Sequence, residues 1–146
     1  MKVALDTNIL IDLWNGTPQG QQNAQALHRL RQAGDTLLIC GAVHAELQAH
    51  PTFESSRIDL LLSGMGVQVD WQMTEAVWRS AGQVHAAITG RRRQALTAAP
   101  SSGLTVSRRP LTDHLIGAHA LHRADRLLTR NVRDFSDFAA LELLTC

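Results

Sequence analysis

Two short runs constrain the fold more than any other feature: Lys2–Asp6 (KVALD) and Thr36–Cys40 (TLLIC). Both carry apolar residues on both sides of the pleat, the mark of strands buried on two faces in a parallel sheet. Between and after them the period changes from two to 3.6. A short helix opening at Thr7 or Asn8 runs to Trp14, where Gly16-Thr17-Pro18 breaks the chain. Residues 19–33 place Ala26, Leu27, Leu30 and Ala33 at helical spacing. Helices are predicted at 42–49, 52–62, 74–88 and 111–124, and further strands at 67–70, 126–129 and 141–144. Residues 89–110, rich in Gly, Ser, Pro and Arg without a clean period, read mostly as a long loop, of a kind that in a compact domain is functional or disordered. Strands alternating with helices predict an α/β sandwich with a mostly parallel sheet, and 146 residues predict one domain.

The apolar runs are too short to cross a bilayer, and Asp6 and Asp12 interrupt the N-terminal one, so neither a membrane span nor a signal peptide is expected. Two cysteines, Cys40 and Cys146, make no disulfide framework and suggest a reducing cytoplasm, with Cys40 a small core hydrophobe. The net charge of +1 hides a pattern. Residues 1–75 balance at −4, residues 76–112 hold six arginines and no acid, and residues 113–146 balance at −1. A basic stretch between two acidic ones suggests a surface for an anionic partner. Arg91, Arg92, Arg93, Arg108 and Arg109 form it, with Arg130 and Arg133 flanking a later motif. They suit RNA phosphates or an acidic partner segment. Residues 89–110 contain no aromatic side chain, so a base-stacking platform is not expected there.

Ligands of parallel sheets collect beyond the carboxyl ends of the strands. Asp6 ends the first strand, Glu46 lies in the helix after the second, Asp113 is in the first turn of the helix at 111–124, and Asn131 and Asp134 follow the strand at 126–129. Carboxylates gathered at one edge resist joint ionisation unless a cation offsets them, and a hard divalent ion such as Mg²⁺ or Mn²⁺ suits oxygen ligands. Such an ion supports phosphodiester hydrolysis. Taken singly, these residues have plainer roles: Asp6 as a helix cap, Glu46 as a solvated helix residue, Asp113 in favourable contact with a helix dipole, Asn131 and Asp134 in a turn. Thr7, Asn8 and Thr112 are alternative caps.

Together the segments LDTNILIDL (5–13), AVHAEL (42–47), TDHLIGAHAL (112–121) and TRNVRDF (129–135) resemble, in order and spacing, the motifs of PIN-domain ribonucleases. The resemblance is nearest to the VapC-type toxins of bacterial toxin–antitoxin pairs. It implies a PIN-like α/β/α sandwich that binds Mg²⁺ or Mn²⁺ and cuts RNA internally, leaving 5′-phosphate and 3′-hydroxyl ends. By position, Asp6, Glu46 and Asp113 match the core acids and metal ligands; Asp6 and Asp113 would bind the metal, and Glu46 would bind it or orient the attacking water. Thr7 and Asn8 support the first acid, and Thr129 opens the last motif. Asn131 stands where many relatives have Asp, so it ranks as the fourth site residue, with Asp134 as an alternative source of charge. A cognate antitoxin and a homodimer are further implications.

An aspartyl-nucleophile phosphatase would want an Asp two residues after Asp6 and a distant lysine; position 8 is Asn, and Lys2 is the only lysine. A PIN-like module that binds RNA or protein without cutting remains as the alternative, because Asn131 contributes no charge. His114, His119 and His122 share one helix whose stripe Leu111, Leu115, Ala118 and Leu121 accounts for its burial, so the histidines are expected at the surface or an interface rather than on zinc. Trp14, Trp71 and Trp78 are expected as core or dimer contacts.

Overall fold

The computed structural model describes residues 1–98 and 110–146. Five strands form one sheet: β1 (Lys2–Leu5), β2 (Thr36–Cys40), β3 (Val67–Asp70), β4 (Arg126–Leu128) and β5 (Glu142–Leu144). Their order is β3-β2-β1-β4-β5, with every neighbouring pair parallel. Val3, Ala4 and Leu5 are successive residues pointing to opposite faces, and all three are buried; Leu37 to Cys40 behave likewise. Both faces of the centre are therefore covered by helices, which makes the molecule an α/β sandwich.

The helices are α1 (Thr7–Trp14), α2 (Pro18–Gln32), α3 (Gly41–Ala49), α4 (Ile58–Gly64), α5 (Glu75–Ala98) and α6 (Leu111–Arg123), with single 3₁₀ turns at Ser55–Arg57 and Val132–Phe135. The α2 helix starts where its sequence allows: Thr17 Oγ1 accepts the Gly20 N–H at 3.0 Å and Pro18 occupies the first turn, a cap of about 1 kcal/mol. Gly20 lets α2 touch α1, since an added Cβ would stand 2.2 Å from the Asp12 carbonyl oxygen. Buried Asn23 fastens the same pair by donating from Nδ2 to the Ile9 carbonyl at 3.0 Å.

The chain adds β2 and β3 on one side of β1, then crosses over to add β4 and β5 on the other. The gap between the carboxyl ends of β1 and β4 is thus the topological switch point, where the loops diverge and leave a crevice.

Four sequence expectations are corrected. The helix expected at 74–88 continues through Ala98, so ten residues of the expected 89–110 loop are helical; beyond Ile88 this helix leaves the core and loses the apolar period. The helix expected at 52–62 starts later, as a 3₁₀ turn at Ser55 followed by α4, because residues 51–53 make turns after Pro51. Pro110, rather than Thr112, occupies the N-cap position of α6. Of the tryptophans expected as core or dimer contacts, Trp14 is partly buried against the core, while Trp71 and Trp78 are 63% and 54% exposed and so are not core residues.

Candidate active site

Asp6 leaves β1 at the switch point. Its backbone N–H donates to the Leu128 carbonyl of β4 at 3.0 Å, and its φ and ψ of −73° and 150° place it at the N-cap of α1. The side chain does not cap that helix. It turns across the switch point to β4, where Thr129 Oγ1 donates to Asp6 Oδ2 at 2.8 Å. Fully buried Thr129 in turn accepts the Asn131 N–H at 3.0 Å. A backbone amide after β4 thus orients a hydroxyl, and the hydroxyl orients the first acid.

Glu46 enters from α3 and accepts a hydrogen bond from Thr7 Oγ1, the residue after Asp6. Asp113 comes from the first turn of α6. Asp6, Glu46 and Asp113 line one cleft of about 380 Å³, with Thr7, Asn8, Ile11 and the α3 terminus at Ala49, His50 and Pro51 completing its wall. Side chains from three separate parts of the sequence meet because each follows a strand or opens a helix at the same sheet edge.

The electrostatics are those of crowded carboxylates. Burial is the largest influence on Asp6 and pushes its carboxyl above the ordinary 3.8. The Thr129 hydroxyl and the Thr7 amide work against that rise, while the charges of Glu46 and Asp134 add to it. Ionised Asp6 is therefore costly in this cleft without a compensating cation. The donor set is all oxygen, partly buried and mutually repelling, which fits a hard divalent ion sharing its remaining positions with water. Among the described residues, no three His, Cys, Asp or Glu side chains are drawn into a closed ligand cluster.

Asn131 and Asp134 are placed differently from these three. Asn131 is exposed, and its described contact with the site runs through its backbone. Asp134 is partly buried, and its charge reaches Asp6. Both line an adjacent hollow of about 400 Å³ with Arg130, Val132 and Arg133. Arg130 pairs with Asp12 at 2.5 Å, and Arg133 is exposed. On α5, Arg91 pairs with Asp137 at 2.6 Å, Arg92 is partly buried and Arg93 is exposed. Arg108 and Arg109 lie outside the described residues.

The histidines of α6 correct a further reading. Of the expected stripe, Ala118 is buried, Leu115 and Leu121 pack partly buried against the core and only Leu111 is exposed, but His114 and His119 are buried as well, along with Ile116 and Ala120. His119 Nε2 meets Asp70 Oδ2 at 3.3 Å, and Arg123 Nε donates to the same oxygen at 2.9 Å. Only His122 stays exposed, against Ser80 Oγ at 2.6 Å. His114 Nδ1 lies 3.0 Å from His85 Nδ1. One residue lining the cleft escaped sequence reasoning: His50, whose signal was its place one helical turn after Glu46.

The model of the PIN domain matches residues 3–141. The chain belongs to the PIN-domain family. Among solved structures, this PIN domain is similar to a chain of VapBC2 from Rickettsia felis bound to a DNA fragment from its promoter, at 24% identity and a TM-score of 0.69, covering 99% of this chain and 98% of that one. It is also similar to a chain of VapBC-1 from nontypeable Haemophilus influenzae, at 24% identity and a TM-score of 0.60, with the same coverage. A third similarity is to FitAB bound to an IR36 DNA fragment, at 15% identity and a TM-score of 0.61, covering 98% and 94%. No curated protein matches it by sequence. At these identities the likeness is one of fold, and it spans the whole PIN domain. Among the described residues, no helix is long and apolar enough to cross a membrane.

Proposed function

We propose that this single PIN domain is a Mg²⁺- or Mn²⁺-dependent endoribonuclease acting as the toxin of a toxin–antitoxin pair in the cytoplasm. The observation that carries the reading is the meeting of Asp6, Glu46 and Asp113 in one cleft at the switch point, with Asp6 held by Thr129. A bound divalent cation would lower the pKa of water and offset charge on a phosphoryl oxygen.

The chain's own groups supply the rest. Asp6 and Asp113 would hold the ion, and the Thr129 hydroxyl orients the Asp6 carboxylate. Glu46, oriented by Thr7, completes the ligand set or takes the proton of the attacking water. In-line attack on phosphorus breaks the bond to the 3′ oxygen, leaving a 5′-phosphate and a 3′-hydroxyl. Asn131 supports the site through its amide, and Asp134 adds negative charge. Exposed Arg133 and Arg93 are suited to RNA phosphates. The likeness to VapBC and FitAB chains supports an antitoxin partner, and a homodimer is part of the same proposal.

The test is cleavage of an RNA pool in Mg²⁺ or Mn²⁺ by the protein freed of any bound partner. Asp6→Asn, Glu46→Gln and Asp113→Asn should each lose at least about a hundredfold in rate, since each removes an interaction used in the transition state. No cleavage by the unsubstituted protein would leave a binding module in place of an enzyme.

A further inference from the structure

The cleft does not end at the acids. Its wall at His50 continues into an aromatic run: His50 stacks on Phe53 with ring centres 4.6 Å apart and planes 25° apart. Phe53 meets Trp14 edge to face at 5.3 Å and 88°. Trp14 is pinned from behind, since its Nε1–H points at Met65 Sδ at 3.3 Å. His50 Nδ1 accepts the Thr52 N–H at 3.3 Å, which fixes the ring and, in its neutral form, puts the proton on Nε2. Beyond the stack lies a second pocket of about 410 Å³ lined by Trp14, Thr52, Phe53, Glu54, Arg57 and Leu61. Its aromatic and aliphatic side chains are partly buried, while Glu54 and Arg57 are exposed.

Resting on the nuclease reading, we infer that this second pocket receives an unpaired nucleobase of the RNA whose phosphate lies over Asp6, Glu46 and Asp113. Three observations favour RNA as the occupant. His50 lines the acid cleft and Phe53 lines the pocket, and the two rings are in contact, so a strand leaving one site at His50 meets the other at Phe53. Phe53 and Trp14, set edge to face, give the pocket aromatic surface to which any base adheres. The rim offers one donor group and one acceptor group, Arg57 and Glu54, which can bond base edges of opposite polarity.

The test uses Asp6→Asn to stop turnover, with Trp71→Phe and Trp78→Phe so that Trp14 is the remaining indole. The probes are single-stranded hexaribonucleotides of each base and an abasic hexamer with the same phosphates. The base-bearing hexamers should change Trp14 emission and bind roughly ten- to a hundredfold more tightly than the abasic one. Phe53→Leu, which keeps an apolar side chain against the core, should abolish most of that difference while leaving the salt dependence of binding unchanged, because phosphate contacts are untouched. Equal affinity for abasic and base-bearing hexamers in the protein that keeps Phe53 overturns the inference and needs no further variant. So does a Trp14 signal that ignores oligonucleotides and answers only to a protein partner. Failure of the nuclease reading looks different: the unsubstituted protein then cuts no RNA, whatever the hexamers do.

Discussion

Thr129 Oγ1 donates to Asp6 Oδ2 at 2.8 Å, joining residues 123 positions apart across the switch point of the sheet. This bond opposes the burial that raises the Asp6 carboxyl. Thr129→Val, nearly the same in shape, removes it. Asp6 should then rise further above 3.8, and the acid limb of the pH–rate profile should move to higher pH. Cleavage should fall more at pH 6 than at pH 8, with a loss of about 1 kcal/mol in stability. A profile that drops uniformly at all pH values contradicts this role.

Asp6 also predicts how the metal couples to stability. Its folded value lies above the unfolded 3.8, so the folded state holds the proton more firmly. Stability from this group is complete below pH 3.8 and is lost as pH rises through the folded value. At pH 7 in chelator, Asp6→Asn should melt no lower than the parent protein. With Mg²⁺ at a hundredfold excess over Kd the parent should gain about 2.7 kcal/mol, and the variant far less. Equal gains in calorimetry would remove Asp6 from the ligand set.

The clamp on Asp70 gives a separate acid response. Burial pulls its carboxyl up, but the Arg123 hydrogen bond, the Gln72 amide and the nearby positive charges outweigh that and leave it below 3.8. Its contribution is present above pH 3.8 and lost as pH falls through the folded value. His119 is lowered from 6.5 chiefly by burial, with Asp70 opposing; the unfolded chain takes its proton first, so stability drops as pH falls below 6.5. Thermal melts should show both declines. Asp70→Asn should shrink the lower one and cost about 1–2 kcal/mol at pH 7.

Two glycines predict pure packing effects. A Cβ on Gly117 would stand 2.4 Å from Phe138 Cε2, and one on Gly20 would strike the Asp12 backbone. Phe138 is a side chain that can shift, whereas the α1 backbone cannot without moving the helix. Gly20→Ala should therefore cost more than Gly117→Ala, at about 3 against about 1–2 kcal/mol. Denaturant midpoints with unchanged m values check the order.

Strand β2 was legible to the residue because burial on both faces writes an uninterrupted apolar run, and edge strand β3 because Val67 and Val69 alternate with polar Gln68 and Asp70. Helix α5 was legible only to Ile88, since apolar period reports contact with the core rather than helix, and its last ten residues have no core to touch. The same logic misled the reading of α6: His114 and His119 sit inside by bonding to His85 and Asp70, partners that no periodicity reveals. The acids were legible through their places after strands and at helix starts. Asp134's field at Asp6 was not, because it depends on the fold of the turn at Val132–Phe135.

The middle position of β1 has a consequence for how the protein is made. Its first neighbour, β2, is translated within 40 residues, but its second, β4, ends only at Leu128. Until the ribosome has passed Thr129, Asp6 has no hydroxyl to hold it and the cleft lacks one side. A nascent chain tethered to the translation machinery, itself built on RNA, therefore carries its acids unassembled until β4 and Thr129 have been made.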